Sequence, residues 1–96
     1  MKYKYTFLKN RLFYDEILIP YLDKMSKKGW NLVSVNSFFK FEKSSQVCKY
    51  QVDYNPLTDD YLETLDHLGY EHVCCMQDMH IYRNVNLDAE DLSSDE

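Results

Sequence analysis

The sequence predicts an α+β sandwich in which an antiparallel sheet carries two helices on one face. The main observation is an internal repeat, because residues 22–43 recur in degenerate form 40 residues later, at residues 62–83. Each copy reads as an amphipathic helix, a glycine, an aromatic residue and a strand. The chain has two glycines, Gly29 and Gly69, and both occupy the same place in their copies. A glycine there is typical of the left-handed residue that ends a helix.

The first element is a strand, predicted from a strictly alternating run. Its apolar side chains are Tyr3, Tyr5 and Phe7, and its polar ones are Lys2, Lys4 and Thr6. A period of two indicates a strand with one buried face. We expect the tyrosines to face the helices, and residues 9–12 to form a connection.

The first helix is predicted from Tyr14 to Lys28. Its apolar stripe consists of Ile17, Leu18, Tyr21, Leu22 and Met25. Pro20 is unfavourable inside a helix but is tolerated in the first turn. The pattern therefore predicts either a helix that begins near Leu18 or a kink at Pro20.

Two strands follow the first helix. The first is a single long strand, Trp30 to Lys43, with Val33, Val35, Phe39 and Phe41 on one face and Ser34, Asn36, Phe38 and Lys40 on the other. After a turn at residues 44–45, residues 47–55 form the next strand. Its apolar face is Cys48, Tyr50, Val52 and Tyr54, and Lys49, Gln51 and Asp53 point away.

The second half repeats this plan. Thr58 caps a second helix that Gly69 ends, and a hairpin follows, with strands at residues 70–76 and 79–84. In the repeat, Phe41 matches Ile81. The predicted order is β-α-β-β-α-β-β, a ferredoxin-like sandwich. Residues 1–85 form this domain, and residues 86–96 are a disordered acidic tail.

Charge and composition exclude several classes of function. The net charge is −5, but residues 88–96 contain five acidic residues and no base, so the remaining acids and bases balance at eleven each. A nucleic-acid binder needs a broad basic field, which this balance does not provide. No apolar run is long enough to span a membrane. The odd number of three cysteines favours a reducing, cytoplasmic location.

Several stretches resemble a known family. They are MSKKGWNLVSVNSFFKFEK, YQVDYNP, YLETLDHLGYEHV and HIYRN, and together they extend over most of residues 2–84. The chain resembles the bacterial domain-of-unknown-function family 2812. The resemblance implies a soluble bacterial domain, often encoded near PadR-like regulators, and it brings no catalytic residues.

A metal site is the sharpest chemical alternative. Residues of the types that bind zinc fall within 14 residues of one another: His67, His72, Cys74, Cys75 and His80. Their spacing contains no C-x-x-C or H-x-x-x-H pair. On a regular strand His72 and Cys74 share a face and Cys75 points the other way. We therefore predict no metal, no cofactor and no catalytic set, with a small metal-binding or enzymatic domain as the alternative.

The remaining prediction is a non-enzymatic protein-interaction or ligand-sensing module. An open sheet face is its expected surface, with Phe38, Lys49, Gln51 and His72 as candidate binding residues. We expect a homodimer through this face, or an unknown protein partner or small ligand. Base stacking on outward aromatics is not expected, because Tyr3, Tyr5, Tyr50 and Tyr54 are assigned to the face toward the helices.

Overall fold

The structure, a computed structural model, describes residues 2–7, 15–36, 38–76 and 78–89, and for residues 7 and 15 the backbone alone. The elements in these ranges are β1 (Tyr3–Phe7), α1 (Asp15–Lys27), β2 (Trp30–Val35), β3 (Phe38–Lys43), β4 (Lys49–Asp53), α2 (Asp59–Leu68), β5 (Glu71–Met76) and β6 (Met79–Asn84). The predicted connection at residues 9–12 and the last seven residues of the predicted tail lie outside them.

The long strand predicted at residues 30–43 is a hairpin of β2 and β3. The chain reverses after Asn36, whose N–H donates to the carbonyl of Phe38 at 3.1 Å. Val35 then pairs with Phe39, and Ser34 with Lys40. Because this turn keeps the alternation in phase, the predicted division of side chains between two faces holds from Ser34 to Phe41, although the prediction of one strand is wrong. Before Ser34, a bulge at Val33 gives the core position to Leu32 instead.

The strands form two antiparallel sheets rather than the predicted single sheet. In the described part of the chain, the first sheet has the order β1-β3-β2 and the second the order β4-β6-β5. The class is α+β as predicted, but this arrangement in two sheets does not confirm the predicted ferredoxin-like topology. Each sheet belongs to one β-α-β-β half, and each half orders its strands in the same way. The sequence repeat is therefore a repeat of structure.

The repeat shifts by one residue in its last strand. Leu32 pairs with Phe41 next to a bulge in the first hairpin, and His72 pairs with Tyr82 next to a bulge in the second. Phe41 therefore corresponds to Tyr82, and the sequence match of Phe41 with Ile81 is wrong by one position. Between these two pairs the second hairpin contains nine residues and the first contains eight.

The core lies between α1 and the inner faces of both sheets. Its buried residues are Leu18, Leu22, Met25, Leu32, Phe39, Phe41, Cys48, Tyr50, Val52, Met76, Met79 and Ile81. A smaller cluster of Leu65, Tyr70 and Tyr82 lies between α2 and the outer face of the second sheet. The second sheet thus has apolar packing on both faces, whereas the first sheet has it on the inner face.

Both helices end as the sequence predicts. Gly29 and Gly69 have φ of +97° and +87°, in the left-handed region that favours glycine. The Thr58 side chain caps α2 by accepting the N–H of Tyr61 at 3.2 Å. Helix α1, however, continues through Pro20, its sixth residue, so the predicted start near residue 18 is wrong. The rest of the helix offsets the cost of a proline, about 3 kcal/mol in a helix interior.

A buried polar network joins the two halves. The Tyr50 hydroxyl accepts the N–H of Leu32 at 2.9 Å and donates to Oδ1 of Asn31 at 3.1 Å. Ser26 donates to the same oxygen at 2.5 Å and accepts the N–H of Cys48 at 2.8 Å. Because these groups are satisfied, their burial costs little and fixes one arrangement of α1, β2 and β4.

Candidate interaction surface

Strand β1 turns its tyrosines away from the core. Thr6 pairs with buried Phe39, and its Oγ1 lies 2.9 Å from the hydroxyl oxygen of Tyr21 on α1. Since neighbouring side chains on a strand point to opposite faces, Tyr3 and Tyr5 lie on the outer face. The prediction that these tyrosines pack beneath the helices is wrong. Threonine can take the inner position because its hydroxyl meets another hydroxyl there.

The outer face of the first sheet is therefore aromatic. We call it the aromatic face; it comprises Tyr3, Tyr5, Ser34, Asn36, Phe38, Lys40 and Glu42. Tyr3, Tyr5 and Phe38 are 41%, 59% and 43% exposed. Nζ of Lys40 lies 4.4 Å from the centre of the Tyr3 ring and 5.9 Å from that of Tyr5, which is cation–π geometry. Two exposed tyrosine rings thus flank one ammonium group, and Phe38 adds a third exposed ring to the same face.

The aromatic face contains a shallow groove with a volume of about 280 Å³. Its lining residues are Tyr5, Ser34, Asn36, Phe38 and Lys40. Pockets for small-molecule ligands usually measure about 300–1,000 Å³ and enclose most of the ligand. This open groove fits one side chain of a protein partner better than a whole small molecule.

Sequence reasoning placed Phe38 and Lys40 on this face but missed Tyr3 and Tyr5. The available signal was the Lys-Tyr alternation of β1, which fits two opposite registers equally well.

The four predicted binding residues do not form one surface. Phe38 lies on the aromatic face, whereas Lys49, Gln51 and His72 belong to the outer face of the second sheet. Tyr82 on the central strand β6 pairs with Gln51 on β4 and with His72 on β5. Nζ of Lys49 donates to the carbonyl of residue 89, which holds the start of the predicted tail against β4.

The family model described as a protein of unknown function (DUF2812) matches residues 19–96. The chain belongs to this family. The matched range of this DUF2812 chain includes both hairpins and α2, and it leaves out β1 with Tyr3 and Tyr5. Comparisons with curated proteins and with solved structures gave no match. In the described residues of the DUF2812 chain, neither helix is long and apolar enough to cross a membrane.

The outer face of the second sheet of the DUF2812 chain holds two neighbouring histidines. A bulge between His72 and Cys74 places His72 on the same face as Cys75, so the predicted face shared by His72 and Cys74 is wrong. Nε2 of His72 lies 3.1 Å from Nδ1 of His80. Burial, together with the charge of His80, lowers the pKa of His72. A neutral His72 can therefore form a hydrogen bond with the His80 ring.

This face does not assemble the metal site considered above. Among the described residues, no three histidine, cysteine or acidic side chains are placed to hold a metal ion. Cys74 pairs with buried Ile81 on the core side, and burial together with the neighbouring Cys75 raises the pKa of its thiol to about 11. A protonated thiol facing the core is a poor ligand and a poor nucleophile.

The Tyr61 hydroxyl attaches α2 to the second sheet of the DUF2812 chain. The Tyr61 hydroxyl donates to the carboxylate of Asp53, and burial together with this hydrogen bond raises the pKa of Tyr61. Burial and then the charge of Asp53 also raise the pKa of Tyr82, whose hydroxyl has no hydrogen-bond partner among the described residues. The bond of Tyr61 to Asp53 fixes the helix on the sheet, and both hydroxyls remain protonated at neutral pH.

Proposed function

We propose that this chain is a non-enzymatic protein-interaction module that self-associates through the aromatic face. The observation that carries the proposal is the exposure of Tyr3, Tyr5 and Phe38 on one side of one sheet, at 41–59% of each side chain. Tyrosine and phenylalanine are enriched at protein interfaces, where they bury a large area at a small entropic cost.

The charges of the aromatic face favour a second copy as the partner. Lys40 and Glu42 lie two residues apart on β3 and point to the same side. In a twofold dimer each contact occurs twice, so Lys40 of one copy can face Glu42 of the other. A face with one base and one acid offers little to the phosphate backbone of a nucleic acid.

The dimer that this face can form is weak. Three strands at about 4.8 Å spacing and about 3.3 Å per residue give a face on the order of 300 Å². Stable interfaces bury about 800 Å² per partner. We therefore expect a dimer that forms at high micromolar concentration and exchanges rapidly. The three free cysteines support a cytoplasmic location, where thiols stay reduced.

Sedimentation equilibrium over a range of concentrations tests the proposal. Phe38→Ser should abolish self-association, whereas Tyr54→Ser should not, since Tyr54 is 61% exposed but lies outside the aromatic face. Glu42→Lys should weaken the dimer, and the double exchange Lys40→Glu with Glu42→Lys should restore it. Equal behaviour of the Phe38 and Tyr54 variants, or a wild-type monomer at every concentration, would contradict the proposal.

A further inference from the structure

In the ranges that the structure describes, strand β1 forms one edge of the first sheet, whose order is β1-β3-β2. The N–H of Lys43 donates to the carbonyl of Lys2 at 2.8 Å, which fixes the phase of the ladder. In an antiparallel pair, alternate residues bond to the partner strand and those between them point away. Lys4 therefore bonds to β3, while Tyr3 and Tyr5 direct their N–H and C=O groups outward, where a further strand would pair.

Lysines flank this edge on its inner side. Nζ of Lys4 and of Lys43 lie 5.7 Å and 5.4 Å from the centre of the Trp30 ring. Lys2 is next to Lys43 through the hydrogen bond just described, and all three lysines are exposed. Nζ of Lys4 and of Lys43 point across the sheet toward Trp30 on β2, and both lysines remain exposed. Lys2 and Lys4 alternate with Tyr3 and Tyr5, so a strand added to β1 would lie beside lysine side chains on the inner side and tyrosine side chains on the outer side.

We propose that the edge of β1 binds an extended acidic segment of a partner protein by strand addition. Two copies of β1 would bring lysine against lysine, and lysines on edge strands discourage such pairing. An acidic segment would instead be attracted by the same lysines, and backbone hydrogen bonds at Tyr3 and Tyr5 would add to its affinity. This surface is the backbone edge of the sheet, and the proposal does not depend on self-association.

Two synthetic peptides probe the edge: one of alternating glutamate and valine, and one of alternating lysine and valine. Fluorescence anisotropy of a dye attached to each peptide measures its binding. We expect the glutamate peptide to bind with an affinity that falls as salt is added, and the lysine peptide not to bind. Binding of both peptides alike, or of neither, would overturn the proposal.

Substitutions at Tyr5 separate the edge from the aromatic face. Tyr5→Pro removes the outward N–H, and proline is tolerated at such edge positions. Tyr5→Ala keeps the N–H and removes the ring. Peptide affinity should fall about tenfold further in Tyr5→Pro than in Tyr5→Ala, as expected for one unmet hydrogen bond. Equal losses would overturn strand addition. Self-association should be weakened in both variants, so the two proposals can fail separately.

Hydrogen exchange of the wild-type chain provides a test that requires no variant. The glutamate peptide should slow exchange of the Tyr3 and Tyr5 amides, and the Lys4 amide should be protected with or without peptide. Unchanged exchange at Tyr3 and Tyr5 in the presence of bound peptide would also overturn the proposal.

Discussion

Arg83 reaches from the second sheet to the first, where its Nη1 donates to the carbonyl oxygen of Leu32 at 3.0 Å. Its Nε forms an ion pair with Glu71 at 3.1 Å. Burial alone would lower the pKa of Arg83, but the hydrogen bond and charge of Glu71 raise it above its ordinary value. Because the N–H of Leu32 bonds to Tyr50, both backbone groups of this edge residue are satisfied by the other half of the molecule.

Arg83→Met should destabilise the fold by about 1.5–3 kcal/mol, the usual range for a hydrogen bond made by a charged group. The substitution keeps much of the side-chain volume but leaves the Leu32 carbonyl without its donor. Glu71→Gln is the matched control, because an amide oxygen can still accept a hydrogen bond from Arg83. This variant should therefore lose less stability than Arg83→Met. Urea unfolding measures both free energies, and equal stability of Arg83→Met and wild type would contradict the assigned role.

Alanine should be tolerated worse at Gly69 than at Gly29. Both positions have positive φ, which costs a residue with a Cβ about 1–2 kcal/mol. A Cβ on Gly69 would also lie 3.2 Å from Nδ2 of Asn84, whereas one on Gly29 would lie 3.6 Å from its nearest neighbour, the Ser44 carbonyl. Asn84 cannot easily move, because Nδ2 donates to the Leu68 carbonyl at 2.8 Å. Thermal unfolding of the two variants compares the costs, and a reversed order would show that Asn84 adapts.

Asp23 should make the chain lose stability as the pH rises from acid to neutral. Burial raises the pKa of Asp23, although the Tyr50 N–H, Lys27 and Lys49 oppose this effect. The folded state therefore binds the proton more tightly than the unfolded state. The resulting stabilisation is complete below the unfolded pKa and is lost as the pH rises through the folded pKa.

Asp23→Asn removes this titration and keeps Oδ1 as an acceptor for the Tyr50 N–H, a bond of 3.0 Å in the native chain. We expect the variant to be at least as stable as wild type at neutral pH, with a smaller difference between acid and neutral pH. The exposed Asp66→Asn serves as the control. Urea unfolding across the pH range measures the effect, and parallel profiles for Asp23→Asn and wild type would refute it.

The native chain should present one fast thiol to an alkylating reagent. Cys75 is exposed, Cys48 is 4% exposed, and burial raises the pKa of Cys74 to about 11. Intact-mass spectrometry at mildly alkaline pH should therefore show rapid addition of a single label. Cys75→Ser should lose that phase and Cys74→Ser should keep it. A fast phase that survives Cys75→Ser would mean that the Cys74 side of β5 opens readily.

Features that depend on neighbours in sequence could be predicted. The cap at Thr58 and the left-handed glycines follow from local backbone chemistry, which acts within one helical turn. The orientation of β1 could not be predicted in this way, because either face of an alternating Lys-Tyr strand can be buried. The choice depends on the contact between Tyr21 and Thr6. A tertiary contact therefore determines which face of β1 is buried.

The candidate surface was only partly predictable for the same reason. Phe38 was assigned to the correct face because the turn at Asn36 preserves the alternation. His72 was assigned wrongly to the face of Cys74, because one bulged residue in β5 reverses the faces that follow it and the sequence carries no mark of a bulge.

The bonds of Tyr50 and Arg83 to Leu32 mean that neither β-α-β-β half is complete by itself. Opening the chain in the loop between β3 and β4 would give two fragments, one exposing the unpaired edge of β2 and the other exposing an arginine and a tyrosine hydroxyl that lack their acceptor and donor. We expect each fragment to be unstructured alone and the two to reassemble when mixed. The two fragments would then behave as a split protein, in which folding itself reports that the halves have associated.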